Sequence, residues 1–71
     1  MNVVNEITGS VWKILVSTGD QVAEGDVLLL IESMKMEVPV PAERSGRVAS
    51  VTVKEGEAIT EGQVLAVIDP V

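Results

Sequence analysis

A lysine between two methionines carries most of the chemistry this chain has to offer. It stands at the centre of Glu32-Ser33-Met34-Lys35-Met36-Glu37. A lysine amine held clear of other groups is a nucleophile that can be acylated. Acylation removes its charge and extends an already long stem. A methionine on each side supplies a flexible, polarisable apolar platform. The chain has three methionines and one of them is Met1, so both of the others flank this lysine. The alternative is a plain solvated lysine whose methionines fold back onto the core. Other chemistry is scarce. Cysteine, histidine and tyrosine are absent, which excludes disulfides and thiolate metal sites and removes the usual general base and proton shuttle. We expect no catalytic residues, no metal site and hence no enzyme. The carboxylates of Asp20, Glu24, Asp26, Glu57 and Glu61 fall beside turn glycines and read as solvating charges.

The flanking residues state how the lysine must be positioned. Val27 to Ile31 is an uninterrupted apolar run, and Val38-Pro39-Val40-Pro41 follows the motif. Both read as strands, so the residues between them must reverse the chain. Tight hairpins favour glycine, asparagine or aspartate, which tolerate positive φ. Methionine and lysine are poor choices for turning, so the sequence here answers to something other than folding. Pro39 and Pro41 lack backbone donors, which places Glu37 to Pro41 at a sheet edge.

The chain contains a repeat at an offset of 37 residues without gaps: Gly9 to Glu32 aligns with Gly46 to Asp69. Nine of those 24 positions are identical, including Gly9/Gly46, Gly19/Gly56, Glu24/Glu61 and Gly25/Gly62. Each half begins with a strand (Gly9 to Val16, Gly46 to Val53). A glycine turn, a short apolar spot at Val22 or Ile59 and a second glycine turn follow. A final strand closes each half (Val27 to Ile31, Val64 to Ile68). Valine dominates, and glycines interrupt every window before a helix can form. The expected fold is all-β: a sandwich or barrel of two facing sheets related by a pseudo-two-fold axis, with valines and leucines packed between them. Glu43-Arg44-Ser45 reads as a polar connection between the halves. The position equivalent to Lys35 would be 72, just past Val71. The symmetry therefore puts the lysine hairpin at one end and the two termini together at the other.

At 71 residues this is one small domain spanning 1–71, of a size that buries only about 60% of its unfolded surface. Five basic residues against eleven acidic ones leave a net charge of −6. That disfavours nucleic acid and anionic membranes, and it suits a soluble monomer meeting larger partners briefly. The first residues lack a basic n-region and a long apolar core, and no run approaches the ~18 apolar residues of a membrane span. We expect a cytoplasmic protein.

Ser33-Met34-Lys35-Met36, set after a strand and inside this repeat, closely resembles the Ala/Ser-Met-Lys-Met signature of the biotinyl/lipoyl attachment domain family. The likeness extends over nearly the whole chain, including the repeated Gly-Asp/Glu-x-Val-x-Glu-Gly turns. It is strongest to biotin carboxyl carrier domains and the small stand-alone bacterial biotin/lipoyl attachment proteins. The resemblance implies a flattened barrel of two four-stranded antiparallel sheets, with biotin joined by an amide to the hairpin-tip lysine, here Lys35. It implies a swinging-arm carrier rather than a catalyst. Biotin protein ligase would load Lys35. The arm would then take carboxybiotin from a biotin carboxylase to a carboxyltransferase. Met34 and Met36 match the flanking methionines that ligase and partners read. Glu32 matches an acidic recognition position, with Ser33 and Glu37 beside it in the same role. Serine stands at position 33 where alanine is commoner, and both are small. The gapless repeat leaves no room for the inserted thumb of some acetyl-CoA carboxylase carriers. Lipoyl domains share the fold but usually show Asp-Lys-Ala/Val at the tip, so a lipoyl or dual carrier is the second reading. An unmodified β-module that binds partners through Met34 and Met36 is the third.

Overall fold

The computed structural model describes residues 1–70. It contains eight strands: β1 (Asn2–Val4), β2 (Gly9–Ile14), β3 (Gln21–Val22), β4 (Val27–Ser33), β5 (Met36–Pro41), β6 (Gly46–Val51), β7 (Ala58–Ile59) and β8 (Val64–Pro70). They form two four-stranded sheets, ordered β5-β4-β2-β7 and β1-β8-β6-β3, with every neighbouring pair antiparallel. The expected all-β pair of sheets is what the chain adopts, and β5 with its two prolines is an edge strand.

The repeat is visible bond by bond. Gly19 N donates to Val48 O at 2.8 Å, and its counterpart Gly56 N donates to Val11 O at 2.7 Å. Leu15 N reaches Leu28 O at 2.9 Å, and Thr52 N reaches Leu65 O at 3.0 Å. Both sheets carry a bulge at the same place: the register shifts across Trp12 in one and across Ala49 in the other. A second matching shift, skipping Leu28 where β4 meets β5 and Leu65 where β8 meets β1, lets neighbouring residues of one strand face the same side, and Leu28 with Leu29, like Leu65 with Ala66, are both fully buried.

Three features depart from expectation. The first strand of each half ends at Ile14 and Val51, two residues early, because the next turn crosses to the opposite sheet. The short spots at Val22 and Ile59 are strands, and they are exchanged: β3 pairs with β6 and β7 with β2. Each half thus completes the other's sheet. Finally, Asn2–Val4 forms β1 and pairs with β8, occupying the place that β5 takes beside β4. The core comprises Val3, Val11, Val22, Leu28, Leu29, Ile31, Ala42, Val48, Val53, Ile59, Leu65, Ala66 and Ile68. Not every valine and leucine joins it: Val27 and Leu15 are exposed, as is Trp12, whose ring lies under the Lys13 ammonium at 5.9 Å.

Among the described residues one polar side chain is buried. Asn5 corresponds to Ala42 in the other half. Its amide donates to the carbonyls of Ile7 and, at 2.8 Å, Thr60, while Ile7 N donates to its Oδ1 at 3.2 Å. Those bonds tie the β1–β2 linker to the turn after β7 and satisfy the amide.

The molecule is elongated, 35 × 17 × 17 Å. Pairings run from Ser33↔Met36 at the lysine hairpin, through Val27↔Pro41, to Gly46↔Pro70, where the Met1 amine donates to Ile68 O at 2.7 Å. Lys35 and the Met1/Pro70 region therefore occupy opposite ends.

Candidate functional site

β4 and β5 are joined by two residues only, Met34 and Lys35, closed by the Ser33↔Met36 pair. Both loop residues have positive φ, 53° at Met34 and 62° at Lys35. This is the mirror-image turn that suits the strand twist and normally takes Asn-Gly. For a side chain with a Cβ the left-handed conformation costs roughly 1–2 kcal/mol. Among the described residues these are the two non-glycine positions with positive φ, so backbone strain is confined to the residues that the sequence singles out. Strain of this kind persists where the surrounding structure enforces it. Here six cross-strand pairings, from Val27↔Pro41 to Ser33↔Met36 with one register shift at Leu28, hold the hairpin.

The tip's side chains point into solvent. Met34 is 92% exposed and Met36 65%, and Lys35 is exposed between them. The methionines do not fold back onto the core, so the plain packing explanation for them fails. The arrangement presents a primary amine on a four-carbon stem with apolar thioethers on both flanks. It is convex: one groove, about 230 Å³, runs along the β1–β5 seam, lined by Val3, Ile31, Val40 and Pro41 among others, and another, about 280 Å³, lies by Gln21, Arg47, Asp69 and Pro70, neither of them at the tip.

The foot of the hairpin is anchored by Ser33, which the sequence marks as part of the motif, and by Gly9, which it marks only as a repeated glycine. Ser33 is half-buried and its hydroxyl donates to Thr8 O at 3.0 Å. Ser33 thus faces inward and holds the hairpin to the segment preceding β2. Gly9 lies against the end of β4. A Cβ there would collide with the Glu32 carbonyl oxygen and lie 3.2 Å from Ile31 Cγ2. The signal was present: Gly9 and Gly46 are repeated glycines outside any turn, which implies close backbone approach.

Glu32 and Glu37 are exposed and directly opposite each other, and Glu32 faces Ser10 on its other side. Like charges in cross-strand register are mildly destabilising. The equivalent position in the other half, Asp69, faces Arg47 instead. The hairpin end is therefore acidic around its single ammonium.

Three of the five turn carboxylates, Asp20, Asp26 and Glu57, have structural work rather than merely solvating charge. Asp20 accepts from Ser17 N at 2.9 Å, Asp26 from Ala23 N at 2.9 Å and Glu57 from Lys54 N at 3.1 Å. Each carboxylate reaches back three residues to a backbone N–H and so closes its turn. Among the described residues no three His, Cys, Asp or Glu side chains gather as a metal site, and no helix is long and apolar enough to cross a membrane.

Comparison with known proteins agrees with this architecture. The family model described as "Biotin-requiring enzyme" matches residues 2–68. The biotin/lipoyl attachment protein of Bacillus subtilis is 46% identical over 48 residues, which cover 68% of this chain and 66% of that protein. A biotinylated protein TB7.3 homolog of Mycobacterium leprae is 58% identical over 43 residues, 61% of each chain. The matched segment thus spans just under two thirds of each relative's own length. The crystal structure of the Kluyveromyces lactis urea carboxylase superposes with a TM-score of 0.92 at 38% identity, covering 97% of this chain and 6% of that one. With the model matched from β1 into β8 on this fold, the chain belongs to the biotin/lipoyl domain family of biotin-requiring enzymes.

Proposed function

We propose that this chain is a carrier whose Lys35 amine is the attachment point for covalently bound biotin, and that the protein itself catalyses nothing. The observation that carries this reading is the tip: a lone exposed amine between two exposed methionines on a strained two-residue turn. The donor set fits the group. An amide to biotin's valerate needs an unhindered primary amine, and nothing beyond the turn itself restricts this one. In the attachment step the Lys35 nitrogen attacks the carboxyl carbon of an adenylated biotin, AMP leaves and a proton is lost from the amine. When bound, biotin supplies a ureido nitrogen that accepts a carboxyl group at one active site and surrenders it at another.

The chain's residues contribute position. The rigid hairpin holds the arm's root at the end of the molecule farthest from Met1 and Pro70, which keeps the fold out of the partners' way. Tethering raises the local concentration of the bound group at both sites. Met34 and Met36 offer an apolar contact, and Glu32 and Glu37 a negative one, to a ligase that must recognise this lysine rather than Lys13 or Lys54. A biotin protein ligase, a biotin carboxylase and a carboxyltransferase are the partners this reading calls for, met by a cytoplasmic monomer. Lipoate is the second reading, favoured by the attachment protein of B. subtilis, whose name carries both cofactors.

The test is intact and peptide mass spectrometry after incubation with biotin protein ligase, ATP and biotin, with lipoate and a lipoate ligase in parallel. One biotin on the Lys35 peptide, lost in Lys35→Ala, supports the carrier. Lipoate alone moves the protein to acyl transfer. Labelling that persists at Lys13 or Lys54 in Lys35→Ala overturns the site, and no adduct in either reaction favours a binding module.

A further inference from the structure

Two of the chain's three methionines sit where solvent reaches them most freely. Met34 is 92% exposed and Met36 65%, against 40% for Met1. Neither belongs to the core cluster, so a reagent reaches both sulfurs without any opening of the fold. The chain has no cysteine, so no thiol competes for an oxidant. The sulfurs also bracket the amine in sequence and in space, since Met34 shares the two-residue loop with Lys35 and Met36 closes it by pairing with Ser33.

We propose that Met34 and Met36 are oxidation sites, and that their conversion to sulfoxides by a peroxide switches off modification of Lys35 while leaving the fold intact. The chemistry is a two-electron oxygen transfer. The thioether sulfur attacks one peroxide oxygen, the O–O bond breaks, an S–O bond forms and, after proton transfer, water leaves when the oxidant is hydrogen peroxide. Each thioether is oxidised by two electrons and the peroxide is reduced by two. The product is polar, chiral and a hydrogen-bond acceptor, and it is reversible by methionine sulfoxide reductases. At the tip this replaces an apolar platform with two dipoles. A ligase surface that covers the methionines then has to desolvate a sulfoxide with no partner waiting, a penalty of the kind that slows recognition roughly tenfold or more. The core receives no new polar atom.

This inference rests on the carrier reading, and the experiment separates the two. Folded protein is treated with hydrogen peroxide and mapped by peptide mass spectrometry. Treated and untreated samples are then given to biotin protein ligase with ATP and biotin. One added oxygen at each of Met34 and Met36 before Met1, an unchanged thermal midpoint and roughly tenfold slower labelling are expected, with the rate restored by methionine sulfoxide reductases A and B. In Met34→Leu/Met36→Leu the ratio of treated to untreated rate returns to one, whatever the untreated rate. Equal labelling of oxidised and untreated wild type overturns the switch and leaves the carrier reading standing. No labelling of the untreated protein overturns both. Oxidation of Met1 first, or a lowered midpoint, also overturns the switch, because the exposures would then not govern the chemistry.

Discussion

The strained tip makes a prediction that opposes stability to function. Replacing Lys35 with glycine removes a Cβ from a residue held at φ 62°. The left-handed penalty relieved is roughly 1–2 kcal/mol. Glycine's greater freedom in the unfolded chain returns roughly 0.4–1 kcal/mol of that. Little packing is lost, because the side chain is exposed. The net gain is about 0.8 kcal/mol. Adding Met34→Asn, a residue that tolerates φ near the observed 53°, completes the Asn-Gly loop and brings the gain to about 1–1.5 kcal/mol. In a domain of this size that is roughly 4–12 °C in thermal midpoint. The assay is equilibrium urea unfolding of wild type, Lys35→Gly and Met34→Asn/Lys35→Gly, followed by the intrinsic fluorescence of Trp12 and by far-ultraviolet circular dichroism. The midpoints should rise in that order at constant m-value, and both variants should be refractory to biotin ligase. A midpoint that stays put or falls in Lys35→Gly refutes the argument: either the lysine packs on the hairpin or its backbone is not left-handed.

Three further outcomes follow from the glycines and the buried amide. Gly46→Ala should lose about 3 kcal/mol by overpacking, since its Cβ would collide with the Asp69 carbonyl and lie 2.7 Å from Ile68 Cγ2; chemical denaturation checks it. Gly25→Val should also destabilise, by about 2 kcal/mol, for a different reason. There is open space around the site, but φ is +92°, and a β-branched side chain resists that conformation. Because the mechanisms differ, Gly25→Asn should recover much of the loss whereas Gly46→Asn should not. Asn5→Ala should cost about 2 kcal/mol by leaving the Thr60 carbonyl without its side-chain donor, with faster amide hydrogen exchange in the turn after β7 as the local signature.

Much of this protein was legible in its residues because two signals are local and repeated. The offset of 37 places glycines, turn acids and β-branched runs in matching order. Each needs only its own neighbours to act: a glycine to accept positive φ, an alternation to wet one face. The hairpin was equally readable, since a strand, a strand-like Val-Pro segment and a short insertion between them leave no other course for the chain. What the residues could not state is which strands meet. β3 and β7 are two residues each, too short for a periodicity, and their exchange between sheets is set by the packing of the two halves. β1 went unread because a three-residue strand is indistinguishable from a frayed end until β8 offers it an edge. Ser33 illustrates the same divide. Its identity marked it as part of the motif, but only the approach of Thr8 turns its hydroxyl inward. The chemistry proposed for Lys35 therefore rests on the sequence. The strain that holds it out, a left-handed pair enforced by six cross-strand pairings, was decided by tertiary structure, because φ at a turn is chosen by the strands it must join.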